Sequence, residues 1–311
     1  MSEPAAGRVH TTPATPGVGR ATLLVAFSAC CFGSIAILVT VATEAGARLV
    51  EVLAWRFLLA AALLAVIAGG PAVVRRDVRR GLPLALLAGG GQAAIGGLSL
   101  SALRYIPAAT MIFLFYTYPA WVTVLSALRG KEPLTGRRVL ALGLSLAGIA
   151  VMVGLPGTGS SSVATPGVLL ALAGALLYAL YIPMIDQLGR ELPAALTAAF
   201  ATSGAAVILA VAALATGDFS ARQPAIVWLM ILLLAVLCTV IAFIAFLRGL
   251  AAIGPVRTAI VSTVEPFWGA LLASVVLAQP LAPRTLSGGV LVAAAVVILN
   301  LPQRAEKPAL A

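Results

Sequence analysis

The chain has 311 residues, 61% of them hydrophobic and 10% charged, against roughly 45–50% apolar and about 25% charged in a soluble domain. That composition excludes an ordinary soluble fold and leaves room for roughly ten membrane-spanning helices of about 20 residues each, with no separate soluble domain. The net charge of +10, from 20 Lys and Arg over 10 Asp and Glu, would suggest nucleic acid in a soluble protein. In a membrane chain it reports topology instead, because basic residues collect in cytoplasmic loops, and no nucleic-acid partner is expected.

The single histidine, His10, sits in a polar Pro/Thr-rich N-terminal tail. No imidazole is therefore available in the membrane for haem ligation, a zinc protease or a Ser-His hydrolase. The two lysines, Lys131 and Lys307, fall in loop and tail, which leaves no buried amine for a retinal Schiff base. Cys30, Cys31 and Cys238 lie inside apolar runs, where a thiol packs as a small hydrophobe. No metal, cofactor or enzymatic activity is expected.

In chain order, a disordered tail over 1–20 precedes apolar stretches that predict helices near 21–43, 50–69, 82–101, 106–128, 138–155, 166–187, 194–215, 225–247, 255–278 and 285–301, with a short tail over 302–311. The fold class is an all-α integral membrane protein of ten helices. The first stretch is too long for a signal-peptide core of about 7–15 residues and is read as a helix. With the N-terminus inside, fifteen of the 20 basic residues fall on the cytoplasmic side, including Arg75, Arg76, Arg79, Arg80, Arg129, Lys131, Arg137 and Arg138. This predicts a multi-pass protein with both termini in the cytoplasm.

The stretch from Arg104 to Val151 can be laid on that from Ala252 to Val296. Ile106-Pro107 meets Gly254-Pro255, Thr110 meets Thr258, Tyr118-Pro119 meets Glu265-Pro266 after a one-residue gap, and Glu132-Pro133-Leu134 meets Gln279-Pro280-Leu281. Five helices are duplicated, over 21–155 and 166–301. Because five is odd, the second copy enters the bilayer in the opposite sense, the inverted repeat characteristic of secondary transporters with a site near the midplane.

Those motifs, together with Trp55-Arg56-Phe57 and Gly130-Lys131-Glu132-Pro133-Leu134, resemble the EamA-type drug/metabolite transporters over nearly the whole chain. The resemblance implies a ten-helix carrier of the bacterial inner membrane, with a central cavity lined chiefly by the first, third, fourth, sixth, eighth and ninth helices. It implies export of amino acids or other small metabolites. Where the family often has Gly-Glu before Pro at the end of the ninth helix, this chain has Ala278-Gln279, which would weaken a structural role for that second acid.

Glu265 is the leading site residue. It lies near the centre of a span, where an ionised side chain costs roughly 2.5–3.5 kcal/mol on insertion scales and so must face protein or water. Thr258, Ser262, Glu265 and Gly269 recur at helical spacing and form a polar stripe; Pro266 removes a backbone donor and can leave carbonyls free beside a cavity. Glu265 could bind a substrate ammonium or carry a proton; a structural acid held by an arginine or a backbone donor is the other reading. Arg56, several residues into the second span, is a candidate gating or counter-ion residue for a carboxylate such as Glu51, with an interfacial packing role as the favoured alternative. Gln92 and Ser99 on the third span, Thr117 and Trp121 on the fourth, Tyr178 and Tyr181 on the sixth, and Phe243 on the eighth complete a candidate aromatic-lined cavity suited to a small zwitterion. The glycines of the third span, Gly89, Gly90, Gly91, Gly96 and Gly97, read as close helix packing, with a sliding or bending helix as the alternative.

The leading expectation is a secondary transporter exporting amino acids, its partners being a zwitterionic small molecule, membrane lipids around the basic loops, and at most a second copy of the chain as a homodimer. The alternatives are a proton-coupled multidrug or nucleotide-sugar-like carrier and, further off, an intramembrane lipid-modifying enzyme.

Overall fold

The structure is a computed structural model that describes residues 17–128, 135–153, 164–189, 191–262 and 264–300. Residues 1–16 of the tail expected over 1–20, the tail at 302–311, the basic loop from Arg129 to Leu134 with its Lys-Glu-Pro motif, and the linker at 154–163 lie outside the described residues; the first helix already starts at Val18, inside the expected tail. Among the described residues the chain is helical throughout, without strands. The helices are α1 (Val18–Gly33), α2 (Ile35–Glu44), α3 (Leu49–Ile67), α4 (Pro71–Arg76), α5 (Val78–Pro83), α6 (Gly89–Ser101), α7 (Ala108–Phe115) and α8 (Tyr118–Leu128). They are followed by α9 (Gly136–Val153), α10 (Thr165–Gly189), α11 (Ala194–Ala215), α12 (Ala225–Leu232), α13 (Ala242–Ser262), α14 (Val264–Val276) and α15 (Pro283–Asn300). Wider π-helical turns at Leu84–Ala88 and Leu233–Ile241 join α5 to α6 and α12 to α13.

Five helical runs are long and apolar enough to cross a bilayer: Gly19–Glu44, Leu49–Ile67, Val78–Arg104, Ala195–Ala215 and Ala225–Phe246. Shorter apolar helices lie beside them, among them Val139–Val151, Thr165–Tyr181, Val264–Val276 and Pro283–Ile298. Large apolar side chains such as Leu23, Val66, Leu86, Val207 and Val275 are exposed on the outside of the bundle, as expected where the solvent is lipid rather than water.

The packing carries the exchange symmetry that the duplication predicts. Helices α3 and α11, counterparts in the two copies, pack on each other, as do the counterparts α9 and α15. Helix α1 packs on α13 and α14, and its counterpart α10 packs on α6, α7 and α8. The third-span glycines do not act alike. Gly89 and Gly204 bring α6 and α11 into backbone contact, a Cβ on Gly204 meeting the Ala85 carbonyl oxygen at 1.7 Å, whereas Gly97 has nothing within 4 Å of the corresponding position.

One end of the bundle is closed by polar contacts. The connection between α11 and α12 folds onto α3: Glu51 accepts hydrogen bonds from the Ser220 backbone N–H at 2.9 Å and the Gln223 amide at 2.7 Å. Asp218 pairs with Arg48 at 2.5 Å, and Trp55 donates to the Ser220 carbonyl at 3.1 Å while its ring stacks on Phe219 at 4.7 Å. At the same end Gln279 accepts from the Ala108 backbone N–H at 3.0 Å, supplying an orphan donor at the start of α7 with a partner. A neutral amide therefore fills that capping position in this chain.

Ala278, just past the end of α14, has φ +50°. This left-handed position at a helix C-terminus favours glycine, and an L-residue with a Cβ is disfavoured there by roughly 1–2 kcal/mol. After allowing for the greater freedom of glycine in the unfolded chain, Ala278→Gly is expected to stabilise the protein by about 0.5–1 kcal/mol, read as a higher thermal-unfolding midpoint in detergent.

Candidate functional site

Two helices are interrupted in mid-bundle. The first break separates α1 from α2 at Ser34, whose hydroxyl turns back to the Cys30 carbonyl at 2.8 Å. The second separates α7 from α8 at Tyr116 and Thr117, just before Pro119. Residue 263, between α13 and α14, lies outside the described residues. A proline has no N–H to give the carbonyl four residues back, so Pro119 and Pro266 leave the Phe115 and Ser262 carbonyls without their helical donor. The sequence places a connection between 247 and 255; the described backbone is helical across it, from Ala242 to Ser262.

The breaks converge. Gly33 lies against the Glu265 backbone, where a Cβ would come within 2.6 Å of the carbonyl oxygen, and Gly269 faces Gly33 and Ile112 in return. Phe113 meets Phe267 edge to face at 5.4 Å, and the Trp268 indole donates to the Ser34 hydroxyl at 3.1 Å. Glycine is needed at 33 because α1 and α14 approach backbone to backbone at Glu265.

Glu265 is half-buried. Cys30 and the phenols of Tyr116, Tyr118 and Tyr178 lie within its electrostatic reach. The tyrosines form one aromatic wall: Tyr118 stands edge-on to Tyr178 at 4.8 Å and to Tyr116 at 5.7 Å, Tyr178 stacks on Tyr181 at 6.1 Å, and Phe115 tilts over Tyr178 at 5.3 Å. A carboxylate beside several π faces can hold a desolvated organic ammonium by charge and by cation–π attraction. The phenol hydroxyls can donate to an acceptor on the same molecule.

Of the residues named from sequence, the structure brings Tyr178 beside Glu265, and Tyr181 joins them through its stack on Tyr178. Ser262 ends α13 one turn before Glu265, and the Thr258 side chain lies outside the described residues. Ser99 and Gln92 are on α6; Ser99 is pressed against Gly174 of α10, and both side-chain oxygens are buried without a hydrogen-bond partner among the described residues. Thr117 donates to the Leu114 carbonyl at 2.7 Å and, with Trp121, lines a separate apolar cavity of about 280 Å³ between α8 and α9. Phe243 packs with Ala60, Leu64 and Val240, while Phe246 faces Phe32 of α1 at 6.3 Å. Arg56, buried, donates from Nε to Thr239 at 3.0 Å. Thr239 in turn donates to the Leu234 carbonyl at 2.7 Å inside the π-helical segment, and Glu51 is occupied by the α11–α12 connection.

Tyr116, Tyr118, Ser34 and Trp268 are site residues that reasoning from sequence did not select. One signal was available for Tyr118, since the internal alignment sets Tyr118-Pro119 against Glu265-Pro266 and so gives the acid a tyrosine as its counterpart.

The duplicated helical fold has counterparts among known proteins. The profile of the EamA-like transporter family matches twice, over residues 19–154 and 165–301. The "Uncharacterized transporter YvbV" of Bacillus subtilis (strain 168) is 26% identical over 214 residues, 68% of this chain and 70% of that protein. A solved protein crystal structure superposes with a TM-score of 0.60 at 20% identity, covering 90% of this chain and 96% of that one, a likeness of fold.

Proposed function

Since the chain belongs to the EamA-like transporter family, we propose that it exports small amine-bearing metabolites, amino acids foremost, from the bacterial cytoplasm by alternating access. The observation that carries this reading is Glu265, set on α14 beside the helix breaks at Ser34 and at Tyr116 and Thr117 and faced by three tyrosines. In this reading ten helices span the inner membrane with both termini in the cytoplasm. The substrate ammonium binds Glu265 near the midplane, and its body lies on the tyrosine wall. The two repeats then rock about that point, and a gradient of substrate or of an ion supplies the driving force.

One observation favours a second reading, transport of organic cations. Arg56, the buried basic residue among those described, is engaged by Thr239 and does not supply a substrate carboxylate with a partner beside Glu265. A monocation then fits better than a zwitterion.

The two are separated by the thermal stability of the purified chain against amino acids, organic cations and nucleotide sugars, because a ligand at a hundred times its Kd stabilises the native state by about 2.7 kcal/mol. Amino acids that raise the midpoint support the exporter, cations alone support the second reading, and nucleotide sugars alone overturn both.

A further inference from the structure

At the end of the bundle closed by the α11–α12 connection, a cavity of about 460 Å³ opens between the start of α3, the end of α6 and α11. Its rim carries Arg48, Asp218 and Arg104, and its floor is made by Leu53, Leu209 and Gly97. This cavity is separate from the tyrosine wall.

The rim lies at the level where two membrane-spanning runs end, since Arg48 directly precedes Leu49–Ile67 and Arg104 closes Val78–Arg104. Beside it Trp55, Phe219 and Trp228 cluster, Trp55 standing edge-on to Trp228 at 5.1 Å. Tryptophan gathers at the headgroup level of a bilayer. From that rim the cavity descends into the apolar bundle. Gly97 is seven residues before Arg104 on a helical stretch, about 10 Å deeper, and leaves open space because nothing lies within 4 Å of its missing side chain.

The charges on the rim do not balance. Asp218 takes Arg48 at 2.5 Å, leaving Arg48 69% exposed, and Arg104, also exposed, has no ionic partner among the described residues. A guanidinium forks onto phosphate oxygens through two parallel hydrogen bonds, and basic pockets between membrane helices hold lipid headgroups. A soluble anion would need the rim alone; the apolar depth beneath it matches an acyl chain attached to the anion.

We propose that this cavity is a binding site for one phospholipid of net negative charge, its phosphate on Arg104 and Arg48 and one acyl chain lying over Gly97 between Leu53 and Leu209. The lipid bridges α3, α6 and α11 at the end where the α11–α12 connection is anchored.

The test uses the purified full chain in mild detergent, with bound phosphatidylglycerol counted by native mass spectrometry and the unfolding midpoint followed in parallel. Wild type is expected to retain one phosphatidylglycerol and to melt higher with it than with phosphatidylcholine of the same chain length. Arg104→Gln removes charge-assisted hydrogen bonds, so retention falls about tenfold. Gly97→Leu fills the floor without touching the rim and is expected to lose the lipid as well. Arg104 is exposed and a Cβ at 97 has nothing within 4 Å, so Arg104→Gln keeps the lipid-free midpoint of wild type and Gly97→Leu, leucine being a better helix former than glycine, keeps or raises it, which separates lost binding from lost folding. Inorganic phosphate and glycerol 3-phosphate distinguish the sources of the anion. If either raises the midpoint as much as phosphatidylglycerol, and does so in Gly97→Leu too, the site takes a free anion and the lipid proposal is overturned. It is equally overturned if both variants retain phosphatidylglycerol as wild type does.

Discussion

Glutamine in place of Glu265 is expected to weaken binding of the amine-bearing substrate by about 30-fold or more and to lower transport in proportion. Truncating one partner of a buried, hydrogen-bonded charge pair removes about 2–5 kcal/mol of binding, and each 1.4 kcal/mol is about tenfold in affinity. Glutamine keeps the shape and leaves the approach of Gly33 to the backbone at 265 undisturbed, so the variant is expected to fold with an unchanged or higher midpoint, since an acid no longer has to be held in a half-buried place. The measurement is the substrate-induced thermal shift together with uptake into proteoliposomes. Substrate binding and pH dependence that match wild type in Glu265→Gln would remove both roles assigned to the carboxylate, ammonium binding and proton carriage. A conservative Glu265→Asp change retracts the charge by one methylene from the tyrosine wall and should retain part of the binding, which a purely structural acid would not reproduce.

Much of this architecture is legible in the sequence because it is written in strong, long-range signals. Composition settles the membrane class, and the Pro-containing motifs repeated across the halves reveal the duplication that the packing of α3 on α11 and α9 on α15 reflects. The acid was found because a charge in an apolar span is conspicuous. The tyrosines were harder. Tyr116 and Tyr118 differ by two positions and would point to different faces of a regular helix; they reach Glu265 together only because the chain is broken between α7 and α8. Thr117, chosen for helical spacing with Trp121, is turned by the same break toward α9 and the apolar cavity there. Arg56 illustrates another limit. Its partner Thr239 is 183 residues away and presented by a π-helical turn, which no local pattern announces. The glycines of α6 divide according to what crosses them, information that belongs to α10 and α11 and not to the run of glycines itself.

That division yields the second large prediction, at the crossing of α6 and α11. Helix propensity alone says Gly204→Ala should stabilise α11 by about 0.8–1 kcal/mol. The crossing says the opposite. A methyl at 204 would sit 1.7 Å from the Ala85 carbonyl oxygen and 2.5 Å from its carbon, and the obstacle is backbone, which cannot turn aside as a side chain can. Relief requires α11 to move off the π-helical turn at Leu84–Ala88 and off Gly89, which itself comes within 2.6 Å of Gly204 Cα if given a Cβ. Forced overpacking of this kind typically costs about 1–3 kcal/mol, and with backbone on both sides the upper end applies. Gly204→Ala is therefore expected to lose about 3 kcal/mol of stability, with transport falling because α3, α6 and α11 share this contact surface. Gly97→Ala is the matched control on α6: nothing lies within 4 Å of its new methyl, so propensity acts unopposed and the midpoint rises. Opposite signs from the same chemical change identify the crossing, and not the glycine content of the helix, as what fixes α6 against α11; equal signs would mean that the two helices do not meet at this distance in the membrane.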